Sequence, residues 1–293
     1  MGMDARRTTV KTPLGLVEVA RLGAGPPVLV IHGTPGGSDS SVAMGRFLVD
    51  AGFEVIAPSR PGYLGTQLDG CRSIDDQAEL LAAMLSALGV ERAGVLAWSG
   101  GGPSGYRLAV RHPDRVSALV AFAAVSQRYR QPREKLEERL MMKTNVGNWL
   151  LRFLAIHAPK EIVTQTLKAE GDLSKAELAD LVADTLRDER RRELVLAMAD
   201  VVGDYAHRGA GVENDWTCFG EIESLGLENI KARTLVIHGT ADSDVPAEHS
   251  NHAAAAIPGA ELLSMDRGTH LCLFVHSDAA AAQARALATL RPA

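Results

Sequence analysis

The apolar run Gly94-Val-Leu-Ala-Trp98 meets a cluster of small residues, Ser99-Gly-Gly-Gly-Pro103, with no spacer between them. That is how a strand turning directly into a helix is written. The corner residue takes strained backbone angles, and the positions two before and two after it must be small for strand and helix to pass closely. Ala97 and Gly101 meet that demand. A serine at such a corner has its hydroxyl pushed out of the sheet edge, with the next backbone N–H groups pointing the same way, so Ser99 is the candidate nucleophile.

A chain of 293 residues, 46% of them hydrophobic, can bury a large core, as one large domain or one carrying an insertion. Its net charge of -5 and the lack of a long Lys/Arg block give no electrostatic footprint for nucleic acid. The N-terminal Met-Gly-Met-Asp-Ala-Arg-Arg lacks the apolar core of a secretory signal, and no run reaches the ~20 apolar residues of a membrane span. Arg6 stands where a myristoylation signal requires Ser or Thr. The expected compartment is therefore the cytoplasm, with no membrane partner. Cys71, Cys218 and Cys272 are far apart and form no CxxC pair, so they are expected to be reduced packing residues.

Short Val/Ile/Leu-rich runs alternate with helical patterns. Strands are expected at 17–22, 28–32, 53–57, 94–98, 116–124, 234–238 and 260–265, with helices near 42–51, 75–88, 103–111, 247–256 and 278–290. Several strands are apolar throughout, as when helices cover both faces, so the fold class is α/β with a mostly parallel, doubly wound sheet. Between about 126 and 230 the rhythm breaks into charged amphipathic helix, such as Arg133-Glu-Lys-Leu-Glu-Glu-Arg-Leu140. Ser174 with Glu177 three residues on spells a capping box. Strand rhythm then resumes, so the expected organisation is a core of residues 1–125 and 231–293 with a helical cap, 126–230, folded over the carboxyl edge of the sheet.

A serine hydroxyl needs a base to take its proton and an acid to orient that base. The loop His238-Gly-Thr-Ala-Asp242-Ser-Asp244 follows one expected strand and Asp266-Arg-Gly-Thr-His270 the next, on the edge where open α/β sheets build their sites. Asp242 is the preferred acid, with Asp244 the substitute, and His270 is the base. His32 and His238, at strand ends, read better as packed residues holding their loops. Val30-Ile-His-Gly-Thr-Pro-Gly-Gly37 is an apolar strand ending in a glycine-rich loop that lets backbone approach a developing oxyanion. Pro35 has no N–H, leaving Thr34 as one donor with Gly100 as the other. Both donors are backbone groups, so the Thr34 side chain is expected to matter less than the turn.

These pieces resemble the α/β-hydrolase superfamily in its serine-dependent branch with a helical cap. The resemblance rests on His32-Gly-Thr-Pro-Gly36, Ser59-Arg-Pro-Gly-Tyr63, Trp98-Ser-Gly-Gly-Gly-Pro103, His112-Pro-Asp-Arg-Val116 and the Asp242 and His270 loops, in the family's order. Ala97 departs from the glycine more usual there. The resemblance implies a carboxylic ester hydrolase working through an acyl-enzyme, without metal or organic cofactor. The same machinery serves lactonases, amidases, aminopeptidases and hydrolases of carbon–carbon bonds, and a non-catalytic small-ligand receptor is the alternative from another class. Aminopeptidase relatives hold a free amine with cap carboxylates, for which Glu213, Glu221 and Glu223 are available. Trp98, Trp149, Phe153, Trp216 and Phe219 are candidates for lining the substrate pocket, core packing being the competing reading. The expected partners are a small ester-like molecule and, at most, a second copy in a homodimer. Gly100, Gly102 and Gly105 also spell GxGxxG, but the strand that follows ends in Ala121-Phe-Ala-Ala-Val-Ser126 without the acid a dinucleotide site requires.

Overall fold

The computed structural model describes residues 5–130 and 158–292. Every apolar run named above forms a strand: β2 (Gly15–Gly23), β3 (Pro27–Ile31), β4 (Glu54–Pro58), β5 (Ala93–Trp98), β6 (Val116–Phe122), β7 (Arg233–Gly239) and β8 (Glu261–Met265). An eighth strand, β1 (Arg6–Thr12), was not expected from the sequence. It is one of the sheet's two outer strands and carries charged and polar residues, with only Thr12 buried. The strand order is β1-β2-β4-β3-β5-β6-β7-β8. β2 runs antiparallel to both β1 and β4, and all other neighbours are parallel.

Ten helices lie among the described residues: α1 (Ser38–Asp50), α2 (Ile74–Ala87), α3 (Gly102–Arg111), α4 (Pro159–Ala169), α5 (Lys175–Arg187), α6 (Glu189–Val202), α7 (Gly209–Glu221), α8 (Ala247–Ala256), α9 (Cys272–Val275) and α10 (Ala279–Leu290). The first of them begins four residues earlier than expected from the sequence. Its opening serines are buried and bonded, Ser38 Oγ donating to Glu18 and Ser40 Oγ to the Gly37 carbonyl.

Alternate residues of the strands feed two cores, as the period of two requires. Leu29, Ile31, Val95, Ala97, Leu119 and Val236 pack with α2, α3 and α8 on one face. Val28, Val30, Leu96, Val120, Phe122 and Ile237 pack with α1, α10 and the apolar sides of α4 and α6 on the other. Helices therefore cover both faces, and the expected α/β architecture is the observed one.

Helices α4 to α7 all fall between β6 and β7 in the chain. The α5 N-terminus has the expected capping box, Ser174 Oγ accepting from the Glu177 N–H and the Glu177 carboxylate accepting from the Ser174 N–H. The turn after α4 straps onto the loops that follow β7 and β8. The His270 N–H donates to the Glu170 carbonyl at 2.8 Å, Gly171 bridges to Asp242, and the Asp172 N–H donates to the Ala241 carbonyl at 2.8 Å. The helical segment thus touches the sheet at its carboxyl edge. Among the described residues, no helix is long and apolar enough to cross a membrane. The three cysteines are free, Cys71 and Cys272 being buried.

Candidate active site

Ser99 follows the last residue of β5 and is held at φ 52°, in the left-handed region that costs a non-glycine residue roughly 1–2 kcal/mol. The surroundings over-determine that strain. Val125 N–H donates to the Ser99 carbonyl at 3.0 Å, and Ser99 is only 5% exposed. Around the corner there is no room for side chains: a Cβ on Gly101 would lie 2.4 Å from the His32 carbonyl oxygen, and one on Gly105 would lie 2.7 Å from the Ala97 Cβ. The extra methyl of Ala97 is thus accommodated by a glycine one helical turn into α3.

Asp242 and His270 meet directly, the imidazole Nδ1–H donating to Asp242 Oδ2 at 2.7 Å. The other Asp242 oxygen accepts from the N–H groups of Asp244 and Val245, at 2.9 and 3.0 Å, so the carboxylate is fixed by its own turn. Burial pushes the Asp242 carboxyl up, but the adjacent His270 outweighs this and holds it below the ordinary value. Asp244 does not replace it. Its carboxylate, with 47% of the side chain exposed, lies 3.4 Å from His270 Nε2, on the opposite side of the ring. Burial alone would depress His270; the Asp242 and Asp244 carboxylates, with Glu170 adding to them, overcome that and raise it to about 10.

His270 Nε2 is buried, faces the Asp244 carboxylate at 3.4 Å and makes no hydrogen bond among the described residues; with its proton affinity raised to about 10, the ring must give up its own proton before Nε2 can take one from Ser99. Trp98, the neighbour of Ser99 in the chain, places its ring centroid 5.2 Å from that of the imidazole. The corner and the Asp242–His270 pair therefore share one rim of the sheet, without a Ser99–His270 hydrogen bond. Catalytic hydrogen bonds are often long until substrate is present.

His32 and His238 hold loops. His32 Nε2 accepts from the Arg60 N–H at 2.9 Å while Nδ1 donates to the Gly33 carbonyl, and burial holds this ring neutral, well below the ordinary histidine range. His238 pairs Nδ1 with Ser250 Oγ at 2.8 Å and sets Nε2 3.5 Å from Asp242 Oδ2.

The Thr34 side chain is tied into a network with no counterpart in the sequence reading. Its hydroxyl donates to Asp215 Oδ2 of α7 at 2.5 Å and accepts from Arg60 Nη2 at 3.0 Å. Arg60 and Asp215, each 1% exposed, form a two-pronged ion pair at 2.6 and 2.7 Å, and the Tyr63 hydroxyl donates to the same carboxylate at 2.6 Å. The segment Ser59 to Tyr63, read from sequence only as a supporting turn, supplies two of the three donor side chains. Asp215 escapes a sequence reading because this helix is rich in acids. Its one signal is position, since Val212, Asp215 and Phe219 share the buried face of α7.

Of the candidate lining residues, Phe219 is buried with its Cζ 3.0 Å from where a Gly100 Cβ would stand, so it abuts the corner. Trp216 packs edge-on against Phe219 at 5.7 Å and near Tyr129 at 5.5 Å, one layer back. Trp149 and Phe153 lie outside the described residues. Glu213, Glu221 and Glu223 are exposed, whereas Glu170, unremarked in the sequence, is the acid beside His270. Burial raises the Glu170 carboxyl to about 8 against the opposing pull of His270, and its Oε2 has no partner among the described residues. Donor atoms of Glu170, Asp244 and His270 lie within 4.8 Å of one another, the spacing of a possible metal group. An ion there would have to displace the proton that these carboxylates hold on His270.

A family model described as alpha/beta hydrolase fold matches residues 26–277. A solved alpha/beta hydrolase fold protein from Nakamurella multipartita is 49% identical, with TM-score 0.95, covering 97% of this chain and 99% of that one. An uncharacterized hydrolase of Bacillus subtilis (strain 168), YcgS, is 26% identical over 92% of this chain and 93% of its own length. A 2-hydroxymuconate semialdehyde hydrolase of Pseudomonas putida is 28% identical over 87% and 84% respectively.

Proposed function

From the premise that this chain belongs to the alpha/beta hydrolase fold family and is a hydrolase, we propose that it cleaves a small carboxylic ester through an acyl-enzyme formed on Ser99. The observation that carries the reading is the strained Ser99 corner on the same rim as a buried His270 whose Nδ1 is bound to Asp242 and whose Nε2 makes no hydrogen bond among the described residues. His270 takes the Ser99 proton as the hydroxyl oxygen attacks the ester carbonyl, and Asp242 stabilises the resulting imidazolium. The backbone N–H groups of Thr34 and Gly100 receive the oxyanion. His270 then hands its proton to the leaving alcohol, and water repeats the attack on the acyl-enzyme. No step needs a metal or organic cofactor. Trp98 and Phe219 form the pocket wall nearest the nucleophile, and residues 126–230 act as the cap.

A second reading, hydrolysis of a carbon–carbon bond next to a ketone, draws on the Pseudomonas putida relative, named for 2-hydroxymuconate semialdehyde, a molecule that carries a carboxylate. The Asp242 and Asp244 carboxylates on the two sides of the His270 ring favour a neutral ester over such an anion, with Glu170, raised to about 8, adding no charge at neutral pH. Turnover of a p-nitrophenyl ester series, measured beside 2-hydroxy-6-oxo-dienoate cleavage, tests the choice. Ester hydrolysis dominating is the expected result; dienoate cleavage with inert esters would reverse the assignment.

A further inference from the structure

Helix α7 reaches both residues assigned to the oxyanion hole. It meets Thr34 through Asp215 and Gly100 through Phe219, one turn further on. We propose that Asp215 is a positioning residue for that hole, fixing the Thr34 backbone through the threonine hydroxyl; this rests on the serine-hydrolase reading above.

The contacts go beyond what neutralising a buried arginine requires. The two-pronged pair neutralises Arg60 but uses two of its five N–H donors; of the others, Nη1 also reaches Gln77 Oε1, while Nε and Nη2 turn to the loop that follows β3. Arg60 Nε donates to the His32 carbonyl at 3.2 Å, and Nη2 donates to the Gly33 carbonyl at 3.0 Å as well as to Thr34 Oγ1. Asp215 then accepts from that same threonine hydroxyl. With one bond received and one given, the Thr34 side chain is held in a single rotamer. A Cβ built on Gly100 would fall 2.1 Å from Thr34 Oγ1, so the held hydroxyl stands directly against the residue bearing the second donor. The spacing between the two N–H groups is thereby set from the helical segment, across 181 residues of sequence. Oxyanion donors act only when aimed at where charge develops, and a displacement near 1 Å costs on the order of 100-fold in rate.

The test uses Thr34→Val, which keeps shape and loses the hydroxyl, Thr34→Ser, which restores it, and Asp215→Asn. Each variant is first checked for wild-type circular dichroism and melting. The readouts are kcat and KM on p-nitrophenyl acetate and the rate of covalent labelling by a fluorophosphonate, whose phosphoryl oxygen needs the same donors. Thr34→Val is expected to lose roughly 10- to 100-fold in kcat and in labelling rate with KM little changed, and Thr34→Ser to recover most of it. Asp215→Asn is expected to follow Thr34→Val. Should Asp215→Asn fail to fold, for want of the arginine's counter-charge, the threonine pair decides alone. A folded Thr34→Val enzyme with wild-type kcat and labelling rate overturns the proposal and leaves the serine reading standing. A wild-type protein that takes no label overturns both.

Discussion

The charge pattern around His270 makes a pH signature that belongs to single residues. Asp242 is bonded to Nδ1, whereas Asp244 faces Nε2 at 3.4 Å without a hydrogen bond, so it raises the imidazole's proton affinity without orienting the ring. Removing that negative charge destabilises the imidazolium and lowers the pKa. In Asp244→Asn the rise of kcat/KM with pH, which reports deprotonation of the base, should therefore move toward acid relative to wild type, while Asp242→Asn should instead lose most turnover by releasing the tautomer. A pH profile of each variant checks this; an alkaline displacement in Asp244→Asn would contradict the placement of that carboxylate. Ser99, Asp242 and His270 were legible in the sequence because each closes or follows an apolar run, where an α/β sheet gathers its chemistry. Arg60, Asp215 and Glu170 were not, because a charged residue on a turn or an amphipathic helix reads as solvated until packing shows it buried.

At the scale of elements, the corner depends on β5 and α3 passing at backbone distance, and that geometry ranks the glycines. Gly101→Ala would drive a methyl to 2.4 Å from a carbonyl oxygen of the neighbouring loop, a contact that only backbone movement relieves. A stability loss of about 1–3 kcal/mol is expected, with turnover falling alongside it as the Ser99 corner shifts. Gly220→Ala on α7 meets nothing within 4 Å and should leave turnover unchanged while raising stability by up to about 1 kcal/mol, which makes it the control in a thermal-melt and ester-assay comparison. Seven of the strands were readable from apolar runs, which in β3 to β7 are buried on both faces. β1 was not: both outer strands pair along one side only and bury little, but β8 keeps the apolar run Leu262-Leu263 whereas the Arg, Thr and Lys residues of β1 carry no hydrophobic period. The start of α1 was obscured in the same way, by serines whose hydroxyls are satisfied inside the fold.

For the molecule as a whole, the buried titrating groups set how stability varies with pH. Glu170 rises from 4.5 to about 8 on folding, so the native state holds a proton that the unfolded chain releases, and stability falls as pH climbs through that interval. His270 rises from 6.5 to about 10; its stabilising share is complete below 6.5 and is lost as pH climbs through about 10. Asp242, depressed in the native state, contributes above the ordinary carboxylate value and is lost in stronger acid. The melting temperature should accordingly be highest in mild acid and decline from about pH 6 toward pH 9, with a shallower decline in Glu170→Gln; a melting temperature rising over that range would refute this assignment of protons. The central claim is that this fold makes one alcohol reactive, and mass spectrometry of the intact protein after fluorophosphonate treatment tests it most directly. One adduct per chain is expected, on the peptide containing Ser99 and missing from Ser99→Ala, which stays folded and does not turn over esters. An adduct at another residue, or undiminished ester turnover by Ser99→Ala, would contradict it.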